Sequence, residues 1–183
     1  MRIVGGDNKG RRLKVSKTGI RPTKSIVRQA IFNIIGPRVN AARILDIFAG
    51  SGALGIEAIS HGAANCVFVE KRPKTLVENI DKLLLSDRTE IIGSDFRAGL
   101  RKLKERPFDI IFLDPPYHRD YLEKTLRLIV SNNLLDTGGV IIAEHSPEDN
   151  FVLPDHFSVL KKKQYGDTAV TFIIQSNKNK GLK

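Results

Sequence analysis

Hydrophobic positions along this chain change period near residue 43. Ahead of it, Ile26, Val27, Ala30, Ile31 and Ile34 recur every three or four positions, the stripe of an amphipathic helix. Gly36-Pro37 ends that helix. Arg21-Pro22-Thr23 opens it, since the proline biases Arg21 away from helical angles and Thr23 can cap. Arg28 falls among the helix's polar positions. Further upstream, Arg2–Gly5 and Arg11–Val15 read as a short β-hairpin around the turn formers Asp7-Asn8-Lys9-Gly10.

From residue 43 short apolar runs alternate with helical stretches. Arg43–Phe48, Asn65–Glu70, Thr89–Ile92, Phe108–Leu113 and Gly139–Glu144 predict five strands. Helices are predicted between them, ending near Ser60 and spanning Pro73–Leu85, Phe96–Lys104 and Tyr121–Val130. Phe157–Gln164 and Thr168–Gln175 predict a closing antiparallel hairpin turned by Gly166-Asp167. Strands alternating with helices imply an α/β fold, a parallel sheet covered on both faces, and uniformly apolar strands agree. In such sheets ligands sit beyond the carboxyl ends of the strands. The residues there are Ala49–Gly52, Glu70, Asp95 and Asp114–Tyr117, which are therefore expected to converge.

Composition narrows the class. Hydrophobic residues make up 41% and charged residues 27%, globular values that argue against disorder. Apolar runs such as Ile110–Leu113 and Val140–Ala143 are too short to cross a bilayer. The opening MRIVGGDNKGRR lacks a secretory apolar region, so a cytoplasmic protein is expected. The single Cys66 leaves no disulfide framework or thiolate zinc site, and reads as core. His61, His118, His145 and His156 show no metal-ligand spacing, so no metal is expected.

Charge is uneven. Residues 1–40 hold ten Lys or Arg against Asp7 alone, and residues 161–183 hold six Lys against Asp167 alone. The stretch between them is net acidic although the whole chain is +10. Basic ends on a near-neutral centre suggest a polyanionic partner. Residues 1–40 thus form a basic extension, 41–175 the main domain and 176–183 a frayed basic tail. Lys161-Lys162-Lys163 suits either a solvated strand edge or contact with phosphate.

Gly50-Ser51-Gly52-Ala53-Leu54-Gly55 matches G-x-G-x-x-G between a strand and a helix, where glycines let backbone approach a ligand. The match fits dinucleotide enzymes and nucleoside-methyl donors alike. Asp46, four residues earlier, can order the turn or receive an ammonium, whereas a pyrophosphate site wants an uncharged loop. Glu70 stands where an acid accepts ribose hydroxyls. Asp95 can cap the following helix or accept an adenine amine, with Phe96 covering the ring. Asp114-Pro115-Pro116-Tyr117 is the more specific signal. Its prolines stiffen the chain and hold the Asp114 carboxylate and the Pro115 carbonyl where they can accept from an exocyclic amine. That favours a pyramidal nitrogen with a localised lone pair, able to attack a methyl group. Tyr117 can stack on an extruded base.

These residues resemble the S-adenosylmethionine-dependent amino-methyltransferases. R-I-V-G-G…G-R-R-L, R-P-T…V-R-Q-A-I-F-N-I, D-I-F-A-G-S-G-A-L-G-I-E-A, F-V-E, I-I-F-L-D-P-P-Y and Y-G-D-T are similar to one branch, the RsmD-type guanine-N2 methyltransferases of 16S rRNA. The resemblance spans residues 1–175. It implies a Rossmann-like class I methyltransferase fold, with a mostly parallel seven-stranded sheet, helices on both faces and a small N-terminal hairpin and helix. It further implies S-adenosylmethionine as cofactor, held by Asp46, Phe48, Gly50, Ser51, Gly52, Glu70, Asp95 and Phe96. Asp114, Pro115 and Tyr117 are expected to carry the chemistry. Arg11, Arg12, Arg21, Thr23, Arg28 and Tyr117 are expected to meet 16S rRNA or the small ribosomal subunit, with the protein a monomer. Phe96 departs from the small residue usual in the family. Adenine-N6 methylation, nicotinamide oxidoreduction and a non-catalytic RNA-binding role are the competing readings. A sequence-reading DNA enzyme usually carries a recognition domain that 183 residues leave no space for.

Overall fold

A computed structural model describes residues 1–15, 25–116 and 120–176. The expectations on Arg21, Pro22, Thr23, Tyr117, His118 and the tail 177–183 lie outside these residues. The main elements are α1 (Ser25–Ile35), β1 (Arg43–Ile47), α2 (Ala53–Ser60), β2 (Asn65–Val69), α3 (Lys74–Leu83), β3 (Thr89–Ile92), α4 (Phe96–Lys102), β4 (Phe108–Leu113), α5 (Tyr121–Ser131), β5 (Leu135–His145), β6 (Phe157–Tyr165) and β7 (Thr168–Gln175).

The strands form one seven-stranded sheet in the order β3-β2-β1-β4-β5-β7-β6. β1 to β5 pair in parallel, and β7 runs antiparallel between β5 and β6. The chain winds outward from β1 through β2 to β3, then returns to the other side of β1 with β4. That reversal opens a crevice at the carboxyl ends of β1 and β4. Side chains alternate between the two faces. Ile44, Phe112, Ile142 and Phe172 pack under α1, α2 and α3, while Leu45, Ile111, Ile141 and Ile173 pack under α4 and α5.

β5 starts four residues earlier than its sequence suggests. Asp136-Thr137-Gly138 looks like a turn, yet the strand runs through it with a register shift against β4 between Phe108 and Ile110.

The N-terminal hairpin is less regular than expected. Its ladder is the single antiparallel bridge Arg2↔Arg12, and the domain beneath it adds further holds. Val4 and Gly5 donate their backbone N–H groups to the Glu57 carboxylate at 2.7–3.0 Å. Asn8 donates to Ser60 Oγ at 2.9 Å. The arm is therefore sutured to α2 by side chains.

Candidate active site

Asp46 is the penultimate residue of β1 and is 2% exposed. Its Oδ2 accepts the Gly55 N–H at 2.9 Å, so the carboxyl caps the start of α2 from across the loop. Burial pushes its pKa up to about 7; the negative Glu70 adds to the rise and the Gly55 bond opposes it. A buried acid held at that point is stabilised by a cation placed beside it.

The loop between Asp46 and α2 needs its glycines. Gly52 has φ +80°, and a Cβ there would come within 2.4 Å of Leu76 Cδ1. At Gly55 a Cβ would meet Phe68 at 2.4 Å and Cys66 Sγ at 2.6 Å, so α2 lies close on β2 only because that side chain is absent. Above Gly50, by contrast, a Cβ would find only the Phe48 carbonyl, at 3.9 Å. This open side of the loop is where a ligand has space. Phe48 itself takes φ +64°, a left-handed conformation costly for an aromatic residue and characteristic of functional loops.

Glu70 follows β2 directly and reaches back over the loop. Its Oε2 accepts the Gly50 N–H at 2.9 Å and its Oε1 the Arg72 N–H at 2.8 Å. Each oxygen keeps a further lone pair for hydroxyl donors. Asp95 caps α4 by accepting the Arg97 N–H at 3.0 Å. The Arg97 guanidinium pairs with the same carboxylate at 3.3 Å and lies 4.4 Å from the Phe96 ring centre.

Phe96 requires a correction. Its ring is 3% exposed and packs against Phe48 and Tyr121, with centroids 4.9 Å and 5.5 Å away. It is spent in the core under α4 and α5. Phe48 and Tyr121, the rings that pack on it, both stay partly exposed.

Register brings the catalytic candidates to the same rim. Ile47 of β1 pairs with Leu113 of β4, so Phe48 and Asp114 leave the two strands at the same edge of the sheet. Leu113 also pairs with Ala143 of β5, so Glu144 follows that pair on the other flank. Asp114 is half-buried, Pro115 buried and Pro116 exposed. The groups after β1, β2, β3 and β4 thus share one edge of the sheet. Glu70 and Gly50 are in direct contact there.

The RNA-facing candidates divide. Arg28 is a second correction, because its side chain is fully buried. Its Nη2 donates to the Arg2 carbonyl at 2.7 Å and its Nε lies 3.6 Å from Glu57. Burial lowers its pKa, with Glu57 and Glu144 opposing. A helical wheel marks Arg28 as polar, but Glu57 arriving from α2 draws it inward. Arg11 is exposed but committed: its Nη2 donates to the Lys82 carbonyl at 3.0 Å, closing the carboxyl end of α3. Arg12 stays exposed.

Sequence reasoning missed two residues that build this region. Glu57 is fully buried within the apolar run A-L-G-I-E-A-I, and a carboxylate there needs partners. Asn79, also fully buried, donates to the Ser51 carbonyl at 2.9 Å. Nothing in the polar stretch V-E-N-I-D-K distinguishes it.

Among the described residues no helix is long and apolar enough to cross a membrane. No cluster of His, Cys, Asp and Glu among them could hold a metal ion.

Comparison with known proteins decides the family. The family described as "Conserved hypothetical protein 95" matches residues 1–174. The chain belongs to it. YlbH of Bacillus subtilis (strain 168) is 41% identical over 179 residues, 93% of this chain and 96% of that protein. Ribosomal RNA small subunit methyltransferase D of Escherichia coli (strain K12) is 35% identical over 174 residues, 92% of this chain and 87% of its own. Among solved structures, the Escherichia coli protein yhhF superposes with a TM-score of 0.86 at 33% identity, over 96% of this chain and 97% of that one. Membership extends through the N-terminal arm, so the arm is part of the family's pattern as well as of this fold. The fold is the α/β methyltransferase fold, with its seven-stranded sheet.

Proposed function

We propose that this protein is an rRNA methyltransferase, which moves a methyl group from S-adenosylmethionine to the exocyclic N2 amine of a guanine in 16S rRNA. The observation that carries the reading is the pairing of Ile47 with Leu113. By that pairing Asp114 follows β4 at the same edge of the sheet at which the glycine loop follows β1, which supports the reading. The family's relatives named as small-subunit rRNA methyltransferases support the substrate class.

The site suits the cofactor on its own terms. Asp46 favours a cation, Glu70 has free lone pairs for ribose hydroxyls, and the space above Gly50 admits a ligand. Asp95 is oriented by Arg97, and Phe48 offers a partly exposed ring. S-adenosylmethionine supplies a methyl carbon on a sulfonium that departs as a neutral thioether.

The protein's part is to position the acceptor. Asp114 and the Pro115 carbonyl accept from the two N2 hydrogens, which localises the nitrogen lone pair. One N–C bond forms as the C–S bond breaks, and the surplus amine proton passes by way of Asp114 to water. Tyr117 stacks on the base. Alignment supplies much of the acceleration, and no covalent enzyme intermediate is needed. Residues 1–40 act as an RNA-docking extension of one domain, with Arg12 the arginine of the hairpin left to meet phosphate.

The test is methylation of unmodified small-subunit rRNA and of assembled particles by the purified protein, with nucleoside mass spectrometry as readout. N2-methylguanosine is expected. N6-methyladenosine instead would move the reading to adenine, and no methyl incorporation into either substrate would overturn it.

A further inference from the structure

The outer edge of the sheet holds charge that the site above does not use. β6 is the last strand, and its Lys161, Lys162 and Lys163 are all exposed. Among the described residues none of the three meets an acid or makes a side-chain hydrogen bond. β6 is antiparallel to β7, and residues opposite each other in such a pair share a face. Lys161 pairs with Phe172 and Lys163 with Val170. Both partners belong to the core under α1, α2 and α3. Lys161 and Lys163 therefore stand on the face that carries α1 and the basic N-terminal arm. Lys162 pairs with Thr171 and points to the opposite face, that of α4 and α5.

Register also sets their distance from the chemistry. Lys163 lies opposite Val170 and Val170 opposite Glu144, which follows Ala143, the partner of the Leu113 that precedes Asp114. Lys163 is thus in the same row as Asp114, three strand spacings away. At about 4.8 Å per spacing that is about 14 Å, the length of about four stacked nucleotides at ~3.4 Å each. Two unpaired cations on the arm's face, in line with the site, match a polyanion crossing the rim.

We propose that Lys161 and Lys163 form a second contact with the phosphate backbone of the RNA substrate, continuing the N-terminal arm across the sheet to its far edge. This rests on the reading of the protein as an rRNA methyltransferase. Edge lysines also deter strand pairing between molecules, but that role does not depend on face. The alternation of faces therefore separates the two roles.

The test uses the full chain and small-subunit rRNA, with binding measured from about 50 to about 200 mM salt. Lys161→Gln/Lys163→Gln is compared with Lys162→Gln and wild type. Each lost phosphate contact lowers the salt slope by about 0.7 on single strands. The double variant should lose about 1.4 units of slope, so that the wild-type advantage shrinks about sevenfold over this range. Its KM for RNA should rise at unchanged kcat, and its affinity for S-adenosylhomocysteine should hold. Lys162→Gln should track wild type. Parallel salt lines for the double variant and an active wild type would overturn the lysine contact alone. An equal loss from Lys162→Gln would also overturn it, leaving only an effect of net charge. A wild type that binds S-adenosylhomocysteine but methylates no RNA would overturn the functional reading and this contact with it.

Discussion

Asn79 ties the glycine loop to the N-terminal arm by donating to the Ser51 carbonyl at 2.9 Å. The same carboxamide accepts the Lys14 N–H at 2.8 Å and donates to the Lys14 carbonyl at 3.0 Å. Arm and loop are thus held by one buried side chain on α3. Leaving a buried polar group unpaired costs about 1–3 kcal/mol. Asn79→Leu should therefore lower stability by at least about 2 kcal/mol in urea unfolding and speed hydrogen exchange at the Lys14 amide. A loss below about 0.5 kcal/mol would show that the arm is held by its other contacts.

Arg28 and Glu57 make a second prediction. Both side chains are fully buried, and removing one partner of a buried pair costs about 3–5 kcal/mol. Glu57 keeps the Val4 and Gly5 N–H groups, so Arg28→Ala should cost about 3 kcal/mol, the lower end. Limited proteolysis should then cut within residues 1–15. A stable variant with a reduced salt slope for RNA would return Arg28 to the role of phosphate contact.

Those two residues mark where the sequence stops being legible. The central parallel strands stand out because burial on both faces makes their middles apolar, and Glu70 and Asp114 follow two of them as polar contrasts. That Glu70, Asp95 and Asp114 lie at the same edge of the sheet as the glycine loop follows from strand order, and Glu70 meets Gly50 there. Arg28, Glu57 and Asn79 are decided by partners 26 to 65 residues distant, which no local period reports. Phe96 is hidden for a similar reason. Its position after β3 suggests a ligand contact, but Phe48 and Tyr121, remote in sequence, enclose its ring.

Asp114 should separate chemistry from binding. Asp114→Ala should leave S-adenosylhomocysteine affinity close to wild type and slow single-turnover methyl transfer by at least ~10²-fold, the scale for losing a preorganised polar contact in the transition state. Undiminished transfer in the variant would leave the loop a structural turn and remove Asp114 from the mechanism.

Asp46 yields the prediction with a defined pH window. Its carboxyl titrates near 4 in an unfolded chain but about 7 in the fold, chiefly because it is buried. A raised carboxyl pKa means that the folded state holds the proton more tightly. Its contribution to stability is therefore complete below about pH 4 and is lost as pH climbs to about 7. Asp46→Asn, with no proton to lose, should remove that part of the pH dependence in the unliganded protein. Binding adds an opposite signature. A cationic ligand beside Asp46 draws its pKa down, so S-adenosylmethionine should displace a proton at pH 6 and bind more tightly as pH rises toward 7. Calorimetry at pH 6 in buffers of different ionisation enthalpy should detect that proton for wild type and not for Asp46→Asn. Buffer-independent heats for the wild type would mean that the cofactor's positive charge lies elsewhere in the crevice, with Asp46 serving only to hold the Gly55 N–H.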